Sequence, residues 1–211
     1  MKKCRLIWLL LLVTIGSARA DMEPKRILKE VEKKLTEAVT FQADFLQEFY
    51  WKMTEETQLL KGTIYLKSDD HFYIETEDQI IVSDGRTLWM FNKMANRVLI
   101  DNLINSDETI LPRQIFMKHT EEYNSTLKGE ETVEDVPCYY LQLTALTEDT
   151  FVPVVNVWIQ KNEWVPVKIE QIDINENRTI YIMKNIVTGQ PVDEKMFTFS
   201  VSEGMEIIDM R

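Results

Sequence analysis

The chain is poor in the residues that most enzyme and metal chemistries require. Its 211 residues include only two histidines, His71 and His119, and two cysteines. No His, Cys or carboxylate pair stands at the spacing of a zinc site, so no metal is expected. There is no glycine-rich phosphate loop and no Gly-x-Ser-x-Gly elbow. Ser83-Asp84-Gly85 sets a serine beside a carboxylate, but a hairpin turn accounts for all three residues. The acidic residues could supply a carboxylate pair for sugar chemistry, yet nothing in their spacing brings two of them together. The expectation is therefore no enzyme, no catalytic residue and no cofactor.

Positive charge is also in short supply. There are 24 basic against 35 acidic side chains, a net charge of −11. Such a surface repels phosphate backbones and anionic headgroups, which disfavours nucleic acid as a partner. Glycine and proline number six each while 45% of residues are hydrophobic, the composition of a globular domain and not of a disordered chain.

Residues 1–20 read as a secretory signal peptide. Lys2, Lys3 and Arg5 form a basic start, Leu6 to Ile15 an apolar run, and Ala18-Arg19-Ala20 a small-x-small cleavage site. The run is short for a bilayer span, with an uncleaved membrane anchor as the alternative. Cys4 precedes the apolar run, whereas a lipidated cysteine would follow it. Cleavage after Ala20 would remove four basic residues (Lys2, Lys3, Arg5, Arg19) and no acidic one. Residues 21–211 would then carry 20 basic and 35 acidic groups, a net charge of −15. They are expected to form a single domain. Cys138 would be the one remaining thiol; it lies in a strand-like run and reads as buried packing rather than a reactive site.

Over residues 24–39 apolar residues recur at helical spacing, with Ile27, Val31 and Leu35 four apart and Pro24 suited to the first turn. The period then drops to two, beginning with Phe41, Ala43 and Phe45. Further strand-like runs are expected at 58–67, 71–77, 80–83, 87–92, 97–101, 123–128, 138–147, 153–160, 165–174, 178–188 and 196–201. Links this short make neighbours antiparallel, and about eleven strands exceed what a flat sheet holds, so the sheet should curl or close. The interruption is residues 105–119, where Asn105 and Glu108 resemble a capping pair and Pro112 starts or kinks a helix.

Several strands are apolar on both faces, among them Ile80-Ile81-Val82 and Leu88-Trp89-Met90-Phe91. A strand covered on both sides reads this way. The cover is either closed core or an adaptable pocket, and the ten methionines and the aromatics suit the second.

Particular residues carry a resemblance. Phe41-x-Ala43-x-Phe45-x-Gln47 follows the first helix, and Gly62-x-Ile64-x-Leu66-Lys67 opens the next strand, with Phe72 beyond it. Ile81-Val82-Ser83-Asp84-Gly85-x-Thr87-Leu88-Trp89 spans a hairpin, and Phe197-Thr198-Phe199 precedes Gly204. In this order the chain resembles the periplasmic outer-membrane lipoprotein carriers, the LolA family. The resemblance implies a mainly β fold with some helix, an incomplete, strongly curved antiparallel β-barrel with helices over its concave apolar side. It implies a monomeric periplasmic chaperone that holds the acyl chains of lipoproteins. Its partners would be acylated lipoproteins, an inner-membrane lipoprotein-releasing complex and an outer-membrane receptor or membrane. The alternatives on the same fold are a lipid-binding shuttle and an envelope lipid or lipoprotein sensor.

On that reading, period-two alternation assigns Phe41, Phe45, Ile64, Leu66, Phe72, Ile74, Leu88 and Met90 to the lipid-binding face, with Leu111, Ile115 and Phe116 as a movable cover. Phe72 also stands where the family has an exposed apolar residue that docks on the releasing complex; a plain core phenylalanine is the alternative. One departure is plain. The family's Arg-Pro pair, whose arginine latches the cover, is replaced by Ser68-Asp69, and Ser68 cannot stand in for a guanidinium fork.

Overall fold

The computed structural model describes residues 23–68, 70–105 and 122–211. The expected signal peptide, Asp69 and most of the 105–119 interruption, including Leu111, Ile115 and Phe116, lie outside the described residues.

Helix α1 (Pro24–Glu37) starts on proline, which needs no hydrogen-bond partner in the first turn, and buries Ile27, Leu28 and Val31. Val39 at φ 63° turns the chain into the sheet. Six strands follow as a meander: β1 (Thr40–Trp51), β2 (Glu56–Lys67), β3 (His71–Thr76), β4 (Gln79–Asp84), β5 (Thr87–Asn92) and β6 (Arg97–Asn102). A second meander contains β7 (Tyr123–Val133), β8 (Val136–Ala145), β9 (Val154–Gln160), β10 (Pro166–Ile172) and β11 (Arg178–Thr188). The two join where β1 pairs antiparallel with β11, Phe45 opposite Met183.

β12 (Glu206–Asp209) then completes a single sheet of order β12-β6-β5-β4-β3-β2-β1-β11-β10-β9-β8-β7. The sheet is open and curled, as expected for an incomplete barrel, with β12 and β7 at its edges. Bulges between Gln42 and Asp44, Leu127 and Gly129, and Pro166 and Lys168 add local bend.

Two differences from expectation concern the C-terminus. The run at 196–201 is not a strand: a 3-10 turn (Glu194–Phe197), closed by the Thr198 N–H on the Lys195 carbonyl, leads into backbone with no strand partner among the described residues. β12 was not foreseen, and it pairs parallel to β6 where every other pair is antiparallel. The segment between β11 and β12 lies as a strap on the convex face. Phe197 is buried against the His71 ring at 5.9 Å, and Phe199 meets Phe91 at 5.4 Å. Lys67 Nζ donates to both carboxylate oxygens of Glu194, tying the strap to β2. This explains why β4 to β6 are apolar on both faces: Val82, Val98 and Ile100 are buried on the side opposite Leu88.

The concave side holds two contiguous apolar clusters. α1 places Ile27, Leu28 and Val31 on Leu141, Leu143, Val155, Val157, Ile159 and Ile169 of the second meander. Phe41, Ala43, Phe45, Ile64, Leu66, Phe72 and Leu88 of the first meander pack with Met183. Leu35 and Tyr181 touch both clusters and join them.

Gly62 is required by the second cluster. A Cβ there would lie 2.3 Å from the Glu75 carbonyl oxygen and 2.7 Å from Cζ of Phe45, whose ring covers the glycine. Gly62→Ala is expected to cost about 1–3 kcal/mol through overpacking. Urea unfolding with an unchanged slope and a lowered midpoint would show it.

Candidate functional site

Strand pairing settles which side chains share the concave face. Phe41 stands opposite Leu66, and Leu66 opposite Phe72; the row continues through Ser83 to Leu88. The next row runs from Ile64 through Ile74 and Ile81 to Met90. All eight strand residues singled out from the sequence therefore lie together on one face. Six of them are buried in one cluster, with Ile74 and Met90 packed against it.

Within this face lies an open cavity of about 620 Å³, inside the size range typical of small-molecule sites. Phe45, Ile64, Ile74, Ile81 and Met183 supply apolar wall, and Phe151 and Val152 stand on the side of the second meander. Gln47, Gln171, Thr179, Asn177, Thr76 and Gln79 supply polar lining. Of the eight residues, Phe45, Ile64 and Ile74 line this cavity. Phe41, Leu66, Phe72, Leu88 and Met90 belong to the adjoining core and do not. Phe72 is 0% exposed, so it does not occupy the exposed position that a docking residue needs. Its aromatic side chain completes the interior, where leaving it in water would forfeit the burial that holds β2, β3 and β4 together.

The sequence reading missed the contribution of β11, which brings Tyr181 and Met183 into the lining. A signal was present. Arg178 and Lys184 occupy even positions but so do Ile180 and Ile182, so the clearer signal is on β10, where Lys168 and Glu170 alternate with Ile169 and Gln171, the residues paired with Tyr181 and Thr179. Phe49, Phe151 and Val152 were also missed; the latter two precede β9 and carry no periodic signal.

The described lining residues include no Lys, Arg or His, and Asp173 is the one carboxyl group among them. That carboxylate is engaged in its own turn: Oδ1 accepts from the backbone N–H groups of Asn175 and Asn177, and Oδ2 accepts from Asn177 Nδ2. Burial pushes the Tyr181 phenol above its ordinary pKa, so it stays a neutral hydroxyl. Apart from Asp173, the described lining is thus apolar with neutral polar groups, suited to an uncharged or apolar ligand.

The other candidate groups are structural. Ser83 Oγ accepts from Gly85 N–H and Asp84 Oδ1 from Arg86 and Thr87 N–H, which is hairpin-turn chemistry with Gly85 at φ 84°. Cys138 is fully buried beside Trp158 and Val167, and burial raises its thiol pKa. Ser68 has a turn role: its N–H donates to the Val39 carbonyl and its carbonyl accepts from the His71 N–H. Among the described residues no group of three or more His, Cys, Asp or Glu is arranged to hold a metal.

An open curled sheet with a helix and an apolar cavity on its concave face defines the class: a half-barrel fold with an open concave side. The family is equally definite. The family model of the outer membrane lipoprotein carrier protein LolA matches residues 36–200, and the chain belongs to that family. An outer-membrane lipoprotein carrier protein of Glaesserella parasuis is 24% identical over 215 residues, covering 99% of this chain and 96% of the relative. An uncharacterized protein of Methanocaldococcus jannaschii is 22% identical over 209 residues; 96% of this chain is covered, but only 58% of that longer relative. Among solved structures, an uncharacterized conserved protein from Thermus thermophilus shares the fold. Its TM-score is 0.60 at 13% identity, with 88% of this chain and 98% of that one covered.

Proposed function

We propose that the protein is a soluble periplasmic chaperone that carries lipoproteins from the inner to the outer membrane, holding their acyl chains in the concave cavity. On this reading an inner-membrane releasing complex loads it and an outer-membrane receptor or membrane unloads it. The observation that carries the reading is the open, apolar-walled cavity on the concave face of a chain that belongs to the LolA family. Each acyl methylene left in water costs about 0.8 kcal/mol, so one long chain needs on the order of 10 kcal/mol of shelter to cross an aqueous space. No described helix is long and apolar enough to cross a membrane, and the acidic exterior suits a freely diffusing container.

A cavity of about 620 Å³ is large enough to take up at least part of an acyl chain.

The test is native mass spectrometry after incubation with spheroplasts that carry acylated lipoproteins. A one-to-one complex with lipoprotein is the expected result. Bound phospholipid without lipoprotein would favour a lipid shuttle instead, and an empty protein beside a loaded control carrier would overturn the reading. Ile74→Glu places a carboxylate in the cavity wall at a half-buried site, where the fold can tolerate it. It is expected to weaken binding of an environment-sensitive apolar dye by about tenfold or more with the circular dichroism spectrum unchanged. Leu88 is 0% exposed and does not line the cavity, so a charge there would report on stability instead.

A further inference from the structure

The polar part of the cavity is built from neighbouring positions on three adjacent strands. On β10 and β11, Gln171 stands opposite Thr179; on β11 and β1, Tyr181 stands opposite Gln47. All four side chains line the cavity. Gln171 is only 7% exposed. Neither its side-chain amide nor the Tyr181 hydroxyl makes a hydrogen bond to another described residue, and neither has a polar atom both sealed from solvent and without a partner. A buried amide is tolerated when something satisfies its donors and acceptor, and here the open side of that amide is the cavity. Among the described residues no cationic side chain lines the cavity to neutralise a phosphate or carboxylate, and Asp173 would repel either.

We propose that Gln171 and Tyr181 form a subsite that reads the uncharged ester or amide linkage of an acyl chain, while the chain itself lies along Phe45, Ile64, Ile74, Ile81 and Met183. This rests on the acyl-binding function proposed above and specifies the chemistry of its ligand. A glutamine amide both donates and accepts, and a phenol donates, so together they match a carbonyl oxygen with an adjacent ester oxygen or N–H. The geometry selects against free fatty acids and phosphate-bearing groups at this depth. It places the polar head of the ligand at Gln171 and its tail toward the first meander.

The experiment is displacement of a bound apolar dye from the purified protein at pH 7.5 by amphiphiles of one chain length. The probes are a monoacylglycerol, an N-acylethanolamine, the free fatty acid and an alkyl ether lacking a carbonyl. The ester and the amide are expected to displace the dye about tenfold better than the acid or the ether. Gln171→Met and Tyr181→Phe remove only polar atoms, and both are expected to reduce that preference to about twofold, read as the ratio of displacement constants within each variant so that any change in dye affinity cancels. Equal displacement by all four probes, or full preference retained in both variants, would overturn the subsite and leave acyl binding standing. Displacement by none of them would overturn both the subsite and the acyl-binding function.

Discussion

Phe72→Ala is expected to lower the free energy of unfolding by about 3–5 kcal/mol, the range for deleting a large aromatic from a closed core. Phe72 has no exposed surface, stands between Leu66 and Ser83 in the ladder, and packs in the cluster that contains Phe41 and Leu88. The loss has two parts, the burial forfeited by the ring and the void left among neighbours held by strands on either side. Against a total stability of about 5–15 kcal/mol for a domain, it is large. Urea denaturation with an unchanged slope is the measurement. A surface docking residue would give a change within about 0.5 kcal/mol, so a near-neutral result would return Phe72 to the surface and contradict the packing.

The second large effect is Ile27→Asp. Ile27 is 0% exposed and is one of three α1 residues inserted among Leu141, Leu143 and Val155. Aspartate there removes the packing of a buried aliphatic residue and adds a carboxylate with no charge partner among those neighbours, together costing more than about 5 kcal/mol at neutral pH. The expected outcome is release of α1 from the sheet or loss of the fold, seen as dye binding to the uncovered face. The pH dependence has a definite sign. Burial raises the folded-state pKa of the new carboxyl group above its unfolded value, so folding takes up a proton. The penalty is full above the raised pKa and shrinks as pH falls toward the unfolded value near 3.9. A variant that became less stable relative to the parent on acidification would contradict burial at this position.

Much of this architecture was legible because a single period dominates each element. α1 ends at Glu37, within two residues of the helical pattern, and β5 and β11 have the expected bounds. Alternation placed Phe41, Phe45, Ile64 and Ile74 on one face because one-sided burial writes itself directly into period two. Alternation also misled at Phe197-Thr198-Phe199. There the two rings pack on the convex face of the sheet, and the backbone has no strand partner, since side-chain burial and ladder pairing are separate requirements. β12 was illegible for the opposite reason: four exposed residues at a sheet edge need no apolar alternation, and parallel pairing with β6 depends on where the strap leads. The choice between cavity wall and filled core was beyond the pattern too. Phe72 and Ile74 point the same way from one strand, yet only Ile74 meets the open volume. That distinction depends on how strongly the two halves of the sheet curl, a property of the whole and not of either residue.

The seam between β1 and β11 also sets an order in time. β1 is made early and β11 late, and α1, made before either, docks on strands of the second meander. A growing chain can pair β1 through β6, but Phe45 still lacks Met183 and α1 still lacks Leu141 and Val155. Pairings between opposite ends of a chain form slowly, because a long loop must close before any contact repays it. The interior therefore belongs to the finished chain alone: a chain stopped before Arg178 keeps the Leu141 and Val155 that α1 needs but lacks Met183 and the seam, and is expected to present an uncovered first meander, prone to association, and not a smaller working cavity.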